Sequence, residues 1–228
     1  MNRGAIMKKG RVIETSSGIQ GEFNVSVYDR FQRTMRDRGL METKSIIRSG
    51  INRGTALEIG PGPGYLGLEW LKQTRGTRLK ALEISPDMIA VAGDNAREYG
   101  LEDRWEIFEG SGENIPLGDA VLDAVFSCGS LHEWSNPGRT FDEIIRVLKP
   151  GGKFFVGDLR RDILPPVRWF MRFTCKPREI RPGFDTSIRA SYTAEEISSL
   201  LAGTSVRDFH VRTDPFGLSI LGARGNNE

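Results

Sequence analysis

From residue 55 onward, short apolar runs alternate with longer stretches of helical period. Residues 56–59, 79–84, 105–108, 122–128 and 153–157 are apolar runs of strand length bounded by turn-forming residues. Between them, residues 65–73, 86–99 and 137–148 repeat apolar positions every three or four residues, as amphipathic helices do. Such alternation predicts an α/β fold: a Rossmann-like, doubly wound and mostly parallel sheet with right-handed crossovers.

Both ends of the chain depart from that rhythm. Residues 1–22 are polar without sustained period, whereas Val27, Tyr28, Phe31, Met35, Leu40, Ile46 and Ile47 fall at helical intervals. A loose leader and one or two cap helices are therefore expected over residues 1–50, before a main domain over 51–228. Near the other end, residues 206–211 and 218–221 flank a short Asp-Pro-Phe-Gly turn and predict an antiparallel hairpin at the sheet edge. Residues 160–190, rich in Arg, Pro and aromatics, read as an insertion or lid over the C-terminal edge of the strands, where ligands of such sheets bind.

Local signals sharpen several boundaries. Ser85 is placed to cap a helix with Pro86 in its first turn, and Thr193 with Glu196 matches a capping box. Lys149-Pro150-Gly151-Gly152 reads as a turn feeding the next strand.

Composition narrows the class. With 38% hydrophobic and 27% charged residues and no apolar run near the ~20 residues a bilayer span requires, no integral membrane association is expected. Residues 1–10 are polar and basic with no apolar core after them, so a cytoplasmic location without a secretory signal is expected. Two distant cysteines, Cys128 and Cys175, make neither a disulfide framework nor a zinc cluster. The net charge of +2 hides segments of opposite sign: +5 over residues 1–50, −6 over 51–159, +5 over 160–189 and −2 over 190–228.

The candidate chemistry lies in Leu57-Glu58-Ile59-Gly60-Pro61-Gly62-Pro63-Gly64. Three glycines directly after a predicted strand allow a sharp turn into a helix and close approach of a ligand to the backbone. Taken alone, Gly62 to Gly67 also fits the G-x-G-x-x-G of dinucleotide folds, with Glu83 spaced to meet a ribose. Glu58, completing E-x-G-x-G-x-G, tips the balance.

Together with Leu82-Glu83-Ile84-Ser85-Pro86-Asp87-Met88, Asp123-Ala124-Val125-Phe126-Ser127, Leu131-His132-Glu133-Trp134 and Arg146-Val147-Leu148-Lys149-Pro150-Gly151-Gly152, the chain resembles the class I S-adenosylmethionine-dependent methyltransferases. The resemblance covers about residues 24–223 and is similar to the small-molecule group that includes the ubiquinone/menaquinone C-methyltransferases. It implies seven strands with the last antiparallel, and S-adenosyl-L-methionine as cofactor with S-adenosyl-L-homocysteine as product.

Site roles follow as implications of that resemblance. Glu58, Gly60, Pro61, Gly62 and Gly64 would surround the methionine part of the cofactor. Glu83 would take both ribose hydroxyls, with Ile84 and Met88 beside the nucleoside. The family's Gly-Asp-Ala after the third strand is here Gly110-Ser111-Gly112, so Ser111 or Glu113 would stand in for the adenine-binding acid, with Gly112 beside them in the cofactor site. Ser127 and Cys128 would wall the pocket; for Cys128 a small apolar wall and a nucleophile are the two readings. Tyr28 would pack over the cofactor or in the core of its helix. His132 is the candidate general base, because its ordinary pKa lies near working pH, with packing as the alternative. Asp158 is the second candidate base, or a cap on the next segment.

The acceptor is expected to be a small molecule, with no nucleic-acid partner. Arg160, Arg161, Arg168, Arg172, Arg178, Arg181 and Arg189, amid Trp134, Trp169, Phe170, Phe173 and Tyr192, suggest an anionic acceptor held under a basic lid. Against DNA or protein amides stands the absence of an Asn/Asp-Pro-Pro-Tyr after the fourth strand. An RNA or protein methyltransferase and a non-catalytic cofactor-binding protein remain the alternatives.

Overall fold

A computed structural model describes residues 11–12 and 18–226. Seven strands form one sheet in the order β3-β2-β1-β4-β5-β7-β6: β1 (Thr55–Ile59), β2 (Arg78–Glu83), β3 (Trp105–Glu109), β4 (Leu122–Cys128), β5 (Leu148–Leu159), β6 (Asp208–Thr213) and β7 (Gly217–Ala223). Pairings among β1 to β5 are parallel, and β7 runs antiparallel to both β5 and β6. The hairpin is therefore present, with β7 inserted inside the sheet and β6 at its edge. Chain direction across the sheet reverses between β1 and β4, the switch point at which ligands of such folds collect.

Helices cover both faces, as they must over parallel strands that are apolar on two sides. On one face α3 (Tyr65–Gln73) and α4 (Pro86–Tyr99), with the short α2 (Thr43–Arg48), bury Trp70, Leu71 and Ile46 against Phe126. On the other, α5 (Pro137–Val147) and α8 (Ala194–Leu201) bury Phe141, Ile144 and Ile197 against Val125 and Phe154. The local caps behave as their residues dictate. Ser85 accepts from the Met88 amide at the start of α4, and Thr193 and Glu196 close a full capping box on α8.

Two expectations change. Lys149–Gly152 is no free turn: β5 already begins at Leu148, and the register shifts between Leu122 and Ala124. Gly151, at φ 73°, turns the backbone without breaking its pairing, since its amide donates to the Arg224 carbonyl and Arg224 donates back to Gly152. Nor is the leader loose where it is described. The Val12 amide donates to the Arg189 carbonyl, and Ser85 Oγ donates to the Ile19 carbonyl. Residues 1–10, on which the reading of no secretory signal rests, lie outside the described residues. No helix among those described is long and apolar enough to cross a membrane.

After β5 the chain forms α6 (Pro165–Thr174) and α7 (Arg181–Ala190) before rejoining α8. These two helices share a small core of Ile163, Cys175, Phe184 and Ile188, onto which Phe31 of α1 (Glu22–Asp37) also packs.

Candidate active site

At the C-terminal ends of β1, β2 and β4 lies a cleft of about 800 Å³, its open mouth included. Gly60 and Gly62 form its floor, both with positive φ. A Cβ on Gly60 would strike the Ser130 side chain at 2.8 Å, and one on Gly62 would press on the Tyr28 ring at 3.2 Å. Glycine here brings bare backbone to the ligand side. The loop is held from outside: Asn95 donates to the Pro63 carbonyl, and Tyr65 donates to Asp29 of α1.

Glu83 stands at the end of β2 with its carboxylate gripped by backbone. Its Oε1 accepts from the Ile84 and Ser85 amides, and its Oε2 accepts from the Gly62 amide at 3.0 Å. Burial pushes its pKa up while these three N–H groups pull it down. A carboxylate has roughly four acceptor sites, so about one, on Oε2, is left for a ligand. The same bonds tie the glycine loop to β2.

Ile84, Met88, Ser111, Gly112 and Glu113 also face the cleft, as does the Tyr28 ring. Glu113 does double duty, because its Oε1 accepts the Asn136 amide just before α5.

Other expected residues stand elsewhere. Glu58 is 1% exposed and lies in the core beneath α3, where a Cβ on Gly67 would fall 2.2 Å from its Oε2. Burial, reinforced by the nearby Glu83 carboxylate, raises its pKa to about 8, and Oε2 has no hydrogen-bond partner. Side chains alternate across a strand, so Glu58 faces α3 while the cleft opens beyond the strand's end. Gly64 caps α3 in the left-handed region, where an added Cβ would meet Ala92 and Trp105, and neither it nor Pro61 lines the cleft. Ser127 is fully buried beneath it, donating to the Ile59 carbonyl and sharing a hydrogen bond with Ser130. Cys128 turns to the opposite sheet face, beside the core of α2 and α3, where burial pushes its thiol pKa well up. A nucleophilic role has no support there.

His132 and Asp158 come together. The ring Nδ1 lies 2.9 Å from both Asp158 oxygens, and the His132 amide donates to Asp158 Oδ2 at 2.7 Å. Asp158 Oδ1 also accepts the Leu159 amide. Both side chains are nearly enclosed, at 5% and 2% exposure. Asp158 thus orients the ring, and with Nδ1 as donor the lone pair falls on Nε2. That nitrogen lies 4.0 Å from the carboxylate of Glu133, a cleft residue.

Sequence reasoning missed part of the wall. Ser130 and Glu133 line it beside Trp134, whose Nε1 donates to Ser130 Oγ. The run Leu131-His132-Glu133-Trp134 is the available signal, in which the histidine and the tryptophan stand out as candidates and Glu133 does not. Gly18 and Ile19, from the supposed leader, also line the cleft, and no periodicity marked them. Arg11 fastens this segment: its guanidinium sits 4.3 Å over the Tyr192 ring and donates to the carbonyls of His132 and Ala190. The expected aromatic lid disperses likewise. Trp134 lines the cleft, Tyr192 joins the core, and Trp169, Phe170 and Phe173 stay exposed on α6.

Residues 57–156 match the family model of the methyltransferase domain. An uncharacterised methyltransferase of Bacillus subtilis is 33% identical over 48% of this chain and 59% of its own length. A ubiquinone/menaquinone biosynthesis C-methyltransferase of Brucella anthropi is 30% identical over 49% of this chain and 43% of its own. The chain therefore matches less than two thirds of the length of these relatives. A crystal structure from Methanococcus maripaludis, of a protein described as an S-adenosyl-L-methionine-dependent methyltransferase, superposes with a TM-score of 0.75. It covers 93% of this chain and 98% of the other at 26% identity. Residues 57–156 are thus similar to the methyltransferase domain family, and the fold is shared with the protein described as an S-adenosyl-L-methionine-dependent methyltransferase.

Proposed function

We propose that the protein transfers a methyl group from S-adenosylmethionine to a small molecule that is uncharged at its reacting end. The observation that carries this reading is the cleft itself: a bare-backbone loop at Gly60 and Gly62, an anchored carboxylate at Glu83, and an oriented histidine beside its wall. These residues fit the cofactor. Gly60 and Gly62 admit its amino-acid end to the backbone, Glu83 Oε2 takes a ribose hydroxyl, and Ser111 with Glu113 flanks the base. The cofactor supplies a methyl on a positively charged sulfur, an activated donor with a neutral leaving group. The protein's task is to align the acceptor and exclude water.

His132 accepts the acceptor's proton at Nε2 as the new bond to the methyl carbon forms, and Asp158 stabilises the resulting imidazolium. The basic insertion had suggested an anionic acceptor. Four of its arginines pair with local acids, Arg160 with Asp162, Arg161 with Glu196, and Arg168 and Arg172 with Asp185, and no described residue of 160–190 lines the cleft. Among the described residues the cleft wall carries Glu83, Glu113 and Glu133 and no lysine or arginine, which also disfavours a phosphate backbone.

The test is transfer of a radiolabelled methyl group to a panel of phenols, hydroxy-acids, quinols and short RNA. Transfer to an uncharged small molecule is expected, with His132→Ala lowering turnover by about 10²–10⁴-fold while S-adenosylhomocysteine still binds. Transfer confined to RNA, or full turnover in that variant across neutral pH, would contradict the reading.

A further inference from the structure

Helix α6 is apolar on two opposite faces. Val167 and Met171 pack onto Ile163, Cys175, Phe184 and Ile188. Across the helix, Trp169, Phe170 and Phe173 are 67%, 53% and 60% exposed. Their spacing places the three rings on one side. Trp169 and Phe173 stack with centroids 5.5 Å apart and planes 14° from parallel. Surface helices turn charged side chains to water, and a contiguous aromatic patch left there marks an interaction surface.

The surrounding charge says which kind. Residues 160–189 hold eight Lys/Arg against three Asp/Glu. Of the acids, Asp162 pairs with Arg160, and Asp185 is shared between Arg168 and Arg172. Just past α6, Lys176 and Arg178 are exposed and form no ion pair among the described residues. Exposed aromatics beside surplus positive charge are the composition of a helix lying in the headgroup layer of an anionic bilayer.

We propose that α6 docks the protein peripherally on anionic lipid bilayers, its three rings entering the headgroup boundary and Lys176 and Arg178 meeting lipid phosphates. A second copy of the chain fits this face less well, because a two-fold contact would set the same excess positive charge against itself. The inference rests on the exposed face and stands apart from the proposed methyl transfer. It also gives the insertion's basic charge an outward use.

The full chain, mixed with vesicles of phosphatidylcholine alone or of equal parts phosphatidylcholine and phosphatidylglycerol, provides the test by co-sedimentation and tryptophan emission. Trp70 and Trp105 are buried and Trp134 half-buried, so a change at α6 is reported by Trp169. Binding to the phosphatidylglycerol vesicles with a blue shift is expected, reversed by about 0.5 M salt. Lys176→Ala and Arg178→Ala should each weaken it roughly fivefold. The double variant Phe170→Ser, Phe173→Ser, altering side chains that face water, should abolish it while helix content and S-adenosylhomocysteine binding persist. Equal binding to both vesicle types, binding that survives the double variant, or a lipid-free dimer that shields Trp169 would each overturn the proposal.

Discussion

Glu58 is a neutral carboxylic acid in the folded chain at pH 7, because burial raises its pKa from 4.5 to about 8. The sign of the linkage follows. Between pH 4.5 and 8 the native state holds a proton that the unfolded chain has released, so stability declines as pH rises through that window. The slope for this one group reaches about 1.4 kcal/mol per pH unit. Glu83, also raised by burial, adds the same sign. Glu58→Gln keeps the shape and removes the titration, so its stability by urea unfolding should vary less across that range than the parent's; parallel curves would show that Glu58 is ionised in the core. For Glu83, removing the carboxylate also frees the amides of Gly62, Ile84 and Ser85. Glu83→Ala should therefore weaken S-adenosylhomocysteine by about 1–3 kcal/mol in calorimetry, and undiminished affinity would remove Glu83 from the site.

Among the elements, the segment leading into α1 makes the clearest departure from a passive leader. Arg11 joins His132, which adjoins the wall residue Glu133, to the end of α7 at Ala190, and Gly18 and Ile19 line one side of the cleft. Arg11→Ala should speed S-adenosylhomocysteine release in stopped-flow measurements while thermal unfolding moves little. An unchanged release rate would leave the segment without a part in ligand retention. The sequence makes such tertiary pinning hard to see. The start of helix α4 is legible because Ser85 and Pro86 punctuate it locally. Arg11 acts across 121 and 179 positions of chain and leaves no periodic trace. The same holds for Glu58: its position in the motif is local, whereas its direction toward Gly67 depends on which face of β1 receives α3. The run Lys149–Gly152 has turn composition, yet pairing with Arg224 from beyond β7 keeps it in the sheet.

Across the whole molecule, charge is divided by location. The cleft is lined by three glutamates, while the surplus arginines of residues 160–189 pair with local acids or face outward from α6 and α7. Counting charge along the chain revealed the division, but only the fold shows that the basic segment does not turn into the cleft. The cleft below Tyr28, from Gly60 to Glu83, is expected to hold S-adenosylmethionine and no dinucleotide. Titration calorimetry of the full chain with S-adenosylhomocysteine and, separately, with NAD tests it most directly. Saturable one-to-one binding of S-adenosylhomocysteine, weakened by Glu83→Ala, with no heat from NAD is the predicted result; NAD binding without S-adenosylhomocysteine affinity would contradict it.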